Sequence, residues 1–451
     1  LQPRSGTMLA AVGAVGLLVL VTSIGLLHRF PWLIPWGALV IFCSSAELRL
    51  RVDPAVGVAK DVYVAMLLGL LVAGLIRSPS VLERLRPFTG PLASIGVLVG
   101  LYLLNPAGGH GSDWLFGIRL LLEALALLVL GMLCAQPEPT MRHLVRAMTV
   151  ALPLEAGFAW LQQSAGLDSL VYQWGYQYGA QVRVSSGGGL RTSGTFEDPF
   201  QLAALAVLGV ALALFVANWR QAVVLVVAAT AVFAATSVRT ATIQVGVLLL
   251  LFAVRRGWWR QAVTLGATAL LAGLFMLATT TVSARPGAPE ESLLSNLNGR
   301  STAWAQAVQD GQSFIIGNGV GELGSGSTRA KESLISTPPA YDPTLEPTAN
   351  FAGDSGFLDS SYAQVQSDVG IVGTLAMVAG MIGLAVVLAR RYLRHGDGAA
   401  WAAFAVLVVS MIDWVGRSSL ASYTTGFLTL YILGVLIAAS GPPQRQSARH
   451  D

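Results

Sequence analysis

Long apolar runs alternate with short arginine-bearing turns along most of this chain. The runs from Gly6 to Leu27, Phe116 to Ala135, Pro199 to Ala217 and Val369 to Ala389 each reach the roughly 20 residues that carry a helix across a bilayer. Counting every comparable run predicts an all-α polytopic membrane protein with about 12 or 13 transmembrane helices. One stretch breaks the alternation. From about Ser283 to Asp368 the chain is polar, reading NLNGRSTAWAQAVQDGQSFIIGNGVGELGSG and later DSGFLDSSYAQVQSDVGIVG. Within it, Arg300 to Val308 has helical spacing, with Asn298 or Ser301 placed to cap its start, and GNGVGELGSG reads as a turn region. The predicted organisation is a helical bundle over 1–281, a large loop domain with short helices over 282–368, and C-terminal membrane helices over 369–451.

Composition agrees with this pattern. Hydrophobic residues make up 54% of the 451 positions and charged ones 12%, with a mean hydropathy of +0.63. So few polar groups cannot cover a soluble globule. The two cysteines, Cys43 and Cys134, lie within or at the end of apolar runs, which excludes a disulfide framework and a cysteine-rich metal site. The net charge of +4 needs no nucleic acid to explain it, because arginines beside membrane helices follow the positive-inside rule.

That rule also orients the chain. Arg142 and Arg146, Arg220, Arg255 and Arg256, then Arg390, Arg391 and Arg394 mark cytoplasmic turns, so the long polar segment faces outward. In the N-terminal third, Arg49, Arg51 and Lys60 in one loop compete with Arg77, Arg84 and Arg86 in the next, and the side is left open. The outward segment is acidic in a basic protein, with ten of the 24 Asp and Glu against four Arg and Lys.

Candidate chemistry gathers at the outer boundary. Arg191, Arg239 and Arg300 come from three separate stretches and lie where the charge rule disfavours them. Each could snorkel to lipid phosphate or pair with a local acid such as Glu197; together they suit a lipid diphosphate, since a guanidinium offers a planar fork of donors and stays charged. Asp354 and Asp359 precede the helix that re-enters the membrane. Asp359 could be a general base taking a proton from a sugar hydroxyl, or the N-cap of that helix. Glu155 stands in a long apolar run, where an ionisable group is a functional candidate by default. Arg119 and Glu123, four residues apart, form a structural pair on one helix face. No phosphate-binding loop, dinucleotide fingerprint, zinc pattern or paired-acid metal motif appears, so chemistry without a metal or cofactor is expected.

Three stretches resemble the O-antigen ligase and O-antigen polymerase superfamily of bacterial membrane glycosyltransferases. RTSGTFEDPFQLAAL from Arg191 is similar to that family's Arg-x-x-Gly-Thr-Phe segment, and NGRSTAWAQAV with IIGNGVG to its Gly-Arg-x-x-x-Trp segment and Gly-rich turn. LDSSYAQVQSDVGIVG resembles the segment that enters the following helix. The resemblance implies an enzyme of the bacterial cytoplasmic membrane, its active site outward, that takes a glycan from a polyprenyl-diphosphate-linked donor and joins it to an acceptor glycan or glycolipid. Arg191, Arg300 and Arg239 would hold the diphosphate, Tyr362 would contact substrate, and Asp359 would be catalytic. Asp359 stands where ligases have His, Ser360 where they have Asn, and Phe200 replaces the usual Asn after Pro199, which points toward a polymerase or related transferase. The rival readings are a flippase or secondary carrier of a lipid-linked sugar and a peptidoglycan polymerase of related layout.

Overall fold

A computed structural model describes residues 25, 27, 29–30, 32–51, 58–77, 79–107, 111–134, 136–176, 181–184, 189–256, 311–321, 360–420 and 424–440. The proposed helix over Arg300 to Val308 with its caps Asn298 and Ser301, the acids Asp354 and Asp359, and Arg300 lie outside these residues. The protein is an all-α polytopic membrane protein. Among the described residues, seven helices are long and apolar enough to cross a membrane, and three shorter apolar helices pack among them.

The helices are α1 Leu33–Arg51, α2 Val58–Arg77, α3 Thr89–Leu104, α4 Ser112–Met132, α5 Pro137–Asp168, α6 Pro199–Phe215, α7 Trp219–Thr236 and α8 Arg239–Arg255, followed by the short α9 Gly311–Ile316 and then α10 Ser361–His395, α11 Gly398–Gly416 and α12 Thr425–Ala439. A two-stranded antiparallel ribbon, β1 Arg183–Val184 with β2 Leu190–Arg191, pairs Arg183 with Arg191. Local chemistry sets several of the ends. Asp198 caps α6 by accepting from the Gln201 N–H, with Pro199 in the first turn. Asn218 and Gln221 form a capping box at α7, and Asp397 accepts from Ala399 and Ala400 N–H at α11. Ser237, at φ 49° in the left-handed region, closes α7 directly before Arg239 opens α8.

Long-range contacts sort the helix ends into two groups. At one end Trp32 stacks on His143, Arg84 donates to the Cys134 carbonyl, Arg391 lies over Phe88, and Arg255 donates to the Phe215 carbonyl. This is the arginine-rich end, and it holds all the turns that the charge pattern groups together. At the opposite end Tyr176 donates to Glu47, Tyr102 to Asp368, and Thr424 to Gln201. The contacts also place the N-terminal third. Arg84 joins the arginine-rich end, so Arg49 and Arg51, at the far end of α1, belong to the opposite one.

At the core α6 is buried along nearly its whole length, with α5, α7, α8, α11 and α12 around it. Side chains of α2 and α3 such as Ile76 (75% exposed) and Leu104 (81% exposed) point away from the bundle, as lipid-facing residues do. Helices α4 and α12 cross at glycine. A Cβ on Gly131 would stand 2.6 Å from the Tyr431 carbonyl oxygen, and one on Gly434 would stand 2.2 Å from that of Leu128. Small residues permit such contact where lipid supplies no hydrophobic driving force between helices. Arg119 reaches Glu123 (3.6 Å) on its own helix and Asp61 of α2 (3.2 Å), which ties α2 to α4.

Candidate functional site

The first turns of α10 are polar although they continue directly into a membrane helix. Ser360 caps them by accepting from the Ala363 N–H. Ser361, Gln364 and Asp368 then fall at i, i+3 and i+7, one helical face. The helix breaks at Gly370, whose φ of 71° is left-handed. Breaking a helix releases carbonyls that must find other donors. The Ser367 carbonyl accepts from the Asn318 N–H at 2.6 Å, and the Asp368 carbonyl accepts from the Asn105 side-chain amide, which also reaches the Ile316 carbonyl (3.0 Å). Gln366 donates to the Phe314 carbonyl at 2.9 Å.

The turn that meets this break is Gly317–Gly321, directly after α9. Gly317, Gly319 and Gly321 all have positive φ (79°, 109° and 84°). Two of the three stretches behind the family resemblance, IIGNGVG and SSYAQVQSDVGIVG, are thus hydrogen-bonded to each other. Between them and α4 lies a cleft at the opposite end, with polar walls of Tyr102, Ser361, Gln364, Asp368 and Ser418 over Leu120 and Leu121. The Asp368 carboxylate, 4% exposed, accepts from the Tyr102 hydroxyl (2.8 Å) and from the Gln364 amide (3.0 Å). Such donors are what make a buried carboxylate tolerable.

The 417–420 strap divides this cleft from a second polar recess. Ser361 donates to the Arg417 carbonyl (2.9 Å) and accepts from the Leu420 N–H (3.1 Å). Beyond the strap, Gln244, Ser410, Asp413, Ser419 and Thr425 line the recess between α6, α8, α11 and α12. Asp413 is bridged to Arg417 at 3.1 Å and accepts from the Ser419 hydroxyl, while the Arg417 guanidinium lies over the Phe200 ring at 5.2 Å.

The third stretch, RTSGTFEDPF, lies against α5. Arg191 is half-buried in β2, and the next residue donates its N–H to the Ala235 carbonyl at the end of α7. Arg239, exposed, begins α8 four residues after Ala235. Arg191 and Arg239 therefore flank the same helix end. Tyr362 is half-buried, and its hydroxyl donates to the Met411 carbonyl at 3.2 Å, so it faces α11 while its neighbours Ser361 and Gln364 face the cleft. Tyr102, Gln364, Asp368, Asp413 and Arg417, which line or border these recesses, are candidates that the sequence reading did not single out. The i, i+3, i+7 spacing of Ser361, Gln364 and Asp368 was the available signal. Among the described residues no group of three or more His, Cys, Asp or Glu could hold a metal ion. The chain matches no protein-family model and no curated protein.

Proposed function

We propose that this protein is a membrane glycosyltransferase that uses a polyprenyl-diphosphate-linked sugar donor and works at the outer face of the bacterial cytoplasmic membrane. The observation that carries the reading is the junction of the Gly317–Gly321 turn with the broken start of α10, which puts a hydroxyl-, amide- and carboxylate-lined cleft at the arginine-poor end of the bundle. That end is outward by the positive-inside rule. Neutral sugars are recognised by such donor and acceptor groups, and a lipid-linked donor presents its sugar at the membrane boundary. In the reaction an acceptor hydroxyl oxygen attacks the anomeric carbon as the bond from that carbon to the diphosphate oxygen breaks. The electron pair leaves with the polyprenyl diphosphate, and the hydroxyl proton passes to a carboxylate. Asp359, one residue before Ser360, is the proposed base. Arg191, Arg300 and Arg239 take the charge that develops on the leaving diphosphate, while Tyr362 ties α10 to α11 beside the cleft.

A lipid-linked-sugar carrier is the second reading. The observation that favours it is a pair of helices broken at glycine near the same end, α5 at Gly166 and α10 at Gly370, since discontinuous helices line many carrier sites. One experiment separates the two. Purified protein in detergent is given undecaprenyl-diphosphate-linked oligosaccharide and an acceptor glycan, and free undecaprenyl diphosphate is measured. Release is expected, and Arg191→Ala or Arg300→Ala should lower it by roughly a hundredfold to a thousandfold. Lys at either position should restore it only in part, because the charge stays and the fork is lost. Absence of release, with transport of the same lipid across vesicles carrying the protein, would establish the carrier instead.

A further inference from the structure

We infer that Glu155 is a positioning residue for the arginine loop, fixing Arg191 for an anionic lipid diphosphate; the inference rests on the diphosphate-binding reading above. The outer half of α5 turns positions 155, 159, 162 and 163 to one face, at i, i+4, i+7 and i+8. That face grips the loop from Leu190 to Thr195. Gln163 donates to the carbonyls of Leu190 (2.6 Å) and Ala235 (2.8 Å). The Ala159 carbonyl accepts from the Thr192 hydroxyl (3.2 Å), and Gln162 exchanges two hydrogen bonds with the Gly194 backbone, donating at 2.7 Å and accepting at 2.9 Å.

Glu155 makes the last and deepest of these contacts. Its carboxyl accepts from the Thr195 N–H at 3.0 Å and lies 2.6 Å from the Thr195 hydroxyl, which also reaches the Cys43 carbonyl of α1 at 2.7 Å. The fit leaves no slack. Gly194 sits at φ 62°, and a Cβ there would stand 2.6 Å from the Glu155 carboxyl oxygen. Without Glu155 the part-buried Thr195 N–H would lose its acceptor, and the turn at 194–197 would have to rearrange to satisfy it. Arg191 is four residues away on one side, and Asp198, the cap of α6, is three away on the other. A glutamate costly to place among apolar helices thereby holds a loop that carries Arg191 at the outer boundary.

The test measures binding of undecaprenyl diphosphate to the detergent-solubilised full chain, together with thermal unfolding in the absence of lipid. The comparison set is wild type, Arg191→Ala, Glu155→Ala, Glu155→Gln and Thr195→Val. Glu155→Ala should weaken binding by roughly tenfold to a hundredfold, as displacement of a binding group by about 1 Å does. Glu155→Gln should restore most of it, because its amide offers an acceptor to the Thr195 N–H and a donor to the Thr195 hydroxyl. Wild-type binding by a folded Glu155→Ala protein, with binding lost in Arg191→Ala, would overturn the positioning role alone. Loss in a folded Glu155→Gln protein equal to that in Glu155→Ala would overturn it too. If Glu155→Ala does not fold, Thr195→Val carries the expectation of weakened binding, and wild-type affinity there overturns the inference. Undiminished binding by Arg191→Ala would instead remove the arginine assignment on which the inference stands.

Discussion

Ser360 takes the capping role that the sequence leaves open for Asp359. Its hydroxyl oxygen accepts from the Ala363 N–H and donates to the Trp414 carbonyl at 3.0 Å, so one side chain starts α10 and ties it to α11. Two substitutions therefore separate. Ser360→Ala should cost about 1 kcal/mol of stability, the usual loss of an N-cap, read as a lower melting temperature of the purified protein. Asp359→Asn should leave the melting temperature unchanged and lower turnover by roughly a hundredfold to ten-thousandfold, the range for loss of a general base. Near wild-type turnover in Asp359→Asn would shift the base to Asp368. Asp368→Asn is a different experiment, because it turns an acceptor of Tyr102 and Gln364 into a group with its own N–H donors. A buried donor facing a donor costs on the order of 1–3 kcal/mol, so that variant should lose stability as well as activity.

At the scale of elements, the meeting of α9, its glycine turn and α10 depends on two glycines for reasons beyond sequence pattern. Gly317 and Gly370 both need left-handed φ, and a Cβ on either would strike the partner segment's backbone, at 2.6 Å from the Asp368 carbonyl carbon and 2.1 Å from the Ile315 carbonyl oxygen. Alanine at either position should cost more than about 1 kcal/mol from conformation alone, and the backbone clash adds to it. A Gly370→Ala protein that unfolds at the wild-type temperature would refute this account. The turn at Gly317–Gly321 was legible as a turn because glycine punctuates it. The break at Gly370 was not, because the apolar pattern from Val369 runs through it without interruption. A helix start just after Asp359 was legible from its capping residues, and the helix does begin at Ser361, although its first two turns to Asp368 fall within the polar segment. Its partners Tyr102 and Asn105 stand more than 250 residues earlier in the chain, beyond the reach of any local pattern. Glu155 was legible as costly to bury, but not as the partner of Thr195, for the same reason.

Across the whole molecule, the arginines sort by end because contacts between elements distant in sequence fix each described turn. Arg84 reaches Cys134, Arg391 lies over Phe88 and Tyr392 donates to the Arg255 carbonyl, so turns distant in sequence share one side of the bundle. The charge rule and the packing agree on this grouping, and the packing extends it to the N-terminal third, where the charges alone conflict. Inserting charge-bearing loops the other way round would require moving many arginines across the bilayer, so the grouping predicts one orientation for all described helices. The prediction is open to single-cysteine labelling in intact bacterial cells, with Cys43 and Cys134 replaced by alanine. Pro106 and His395 are both exposed, at the opposite end and the arginine-rich end respectively. Pro106→Cys should react with a membrane-impermeant maleimide, and His395→Cys should react only after the cells are opened. The reverse pattern would turn the cleft and its carboxylates toward the cytoplasm. The proposed polyprenyl-linked donor would then have to be used before export, and the charge rule would fail at the turns that carry Arg84, Arg142, Arg220, Arg255 and Arg391.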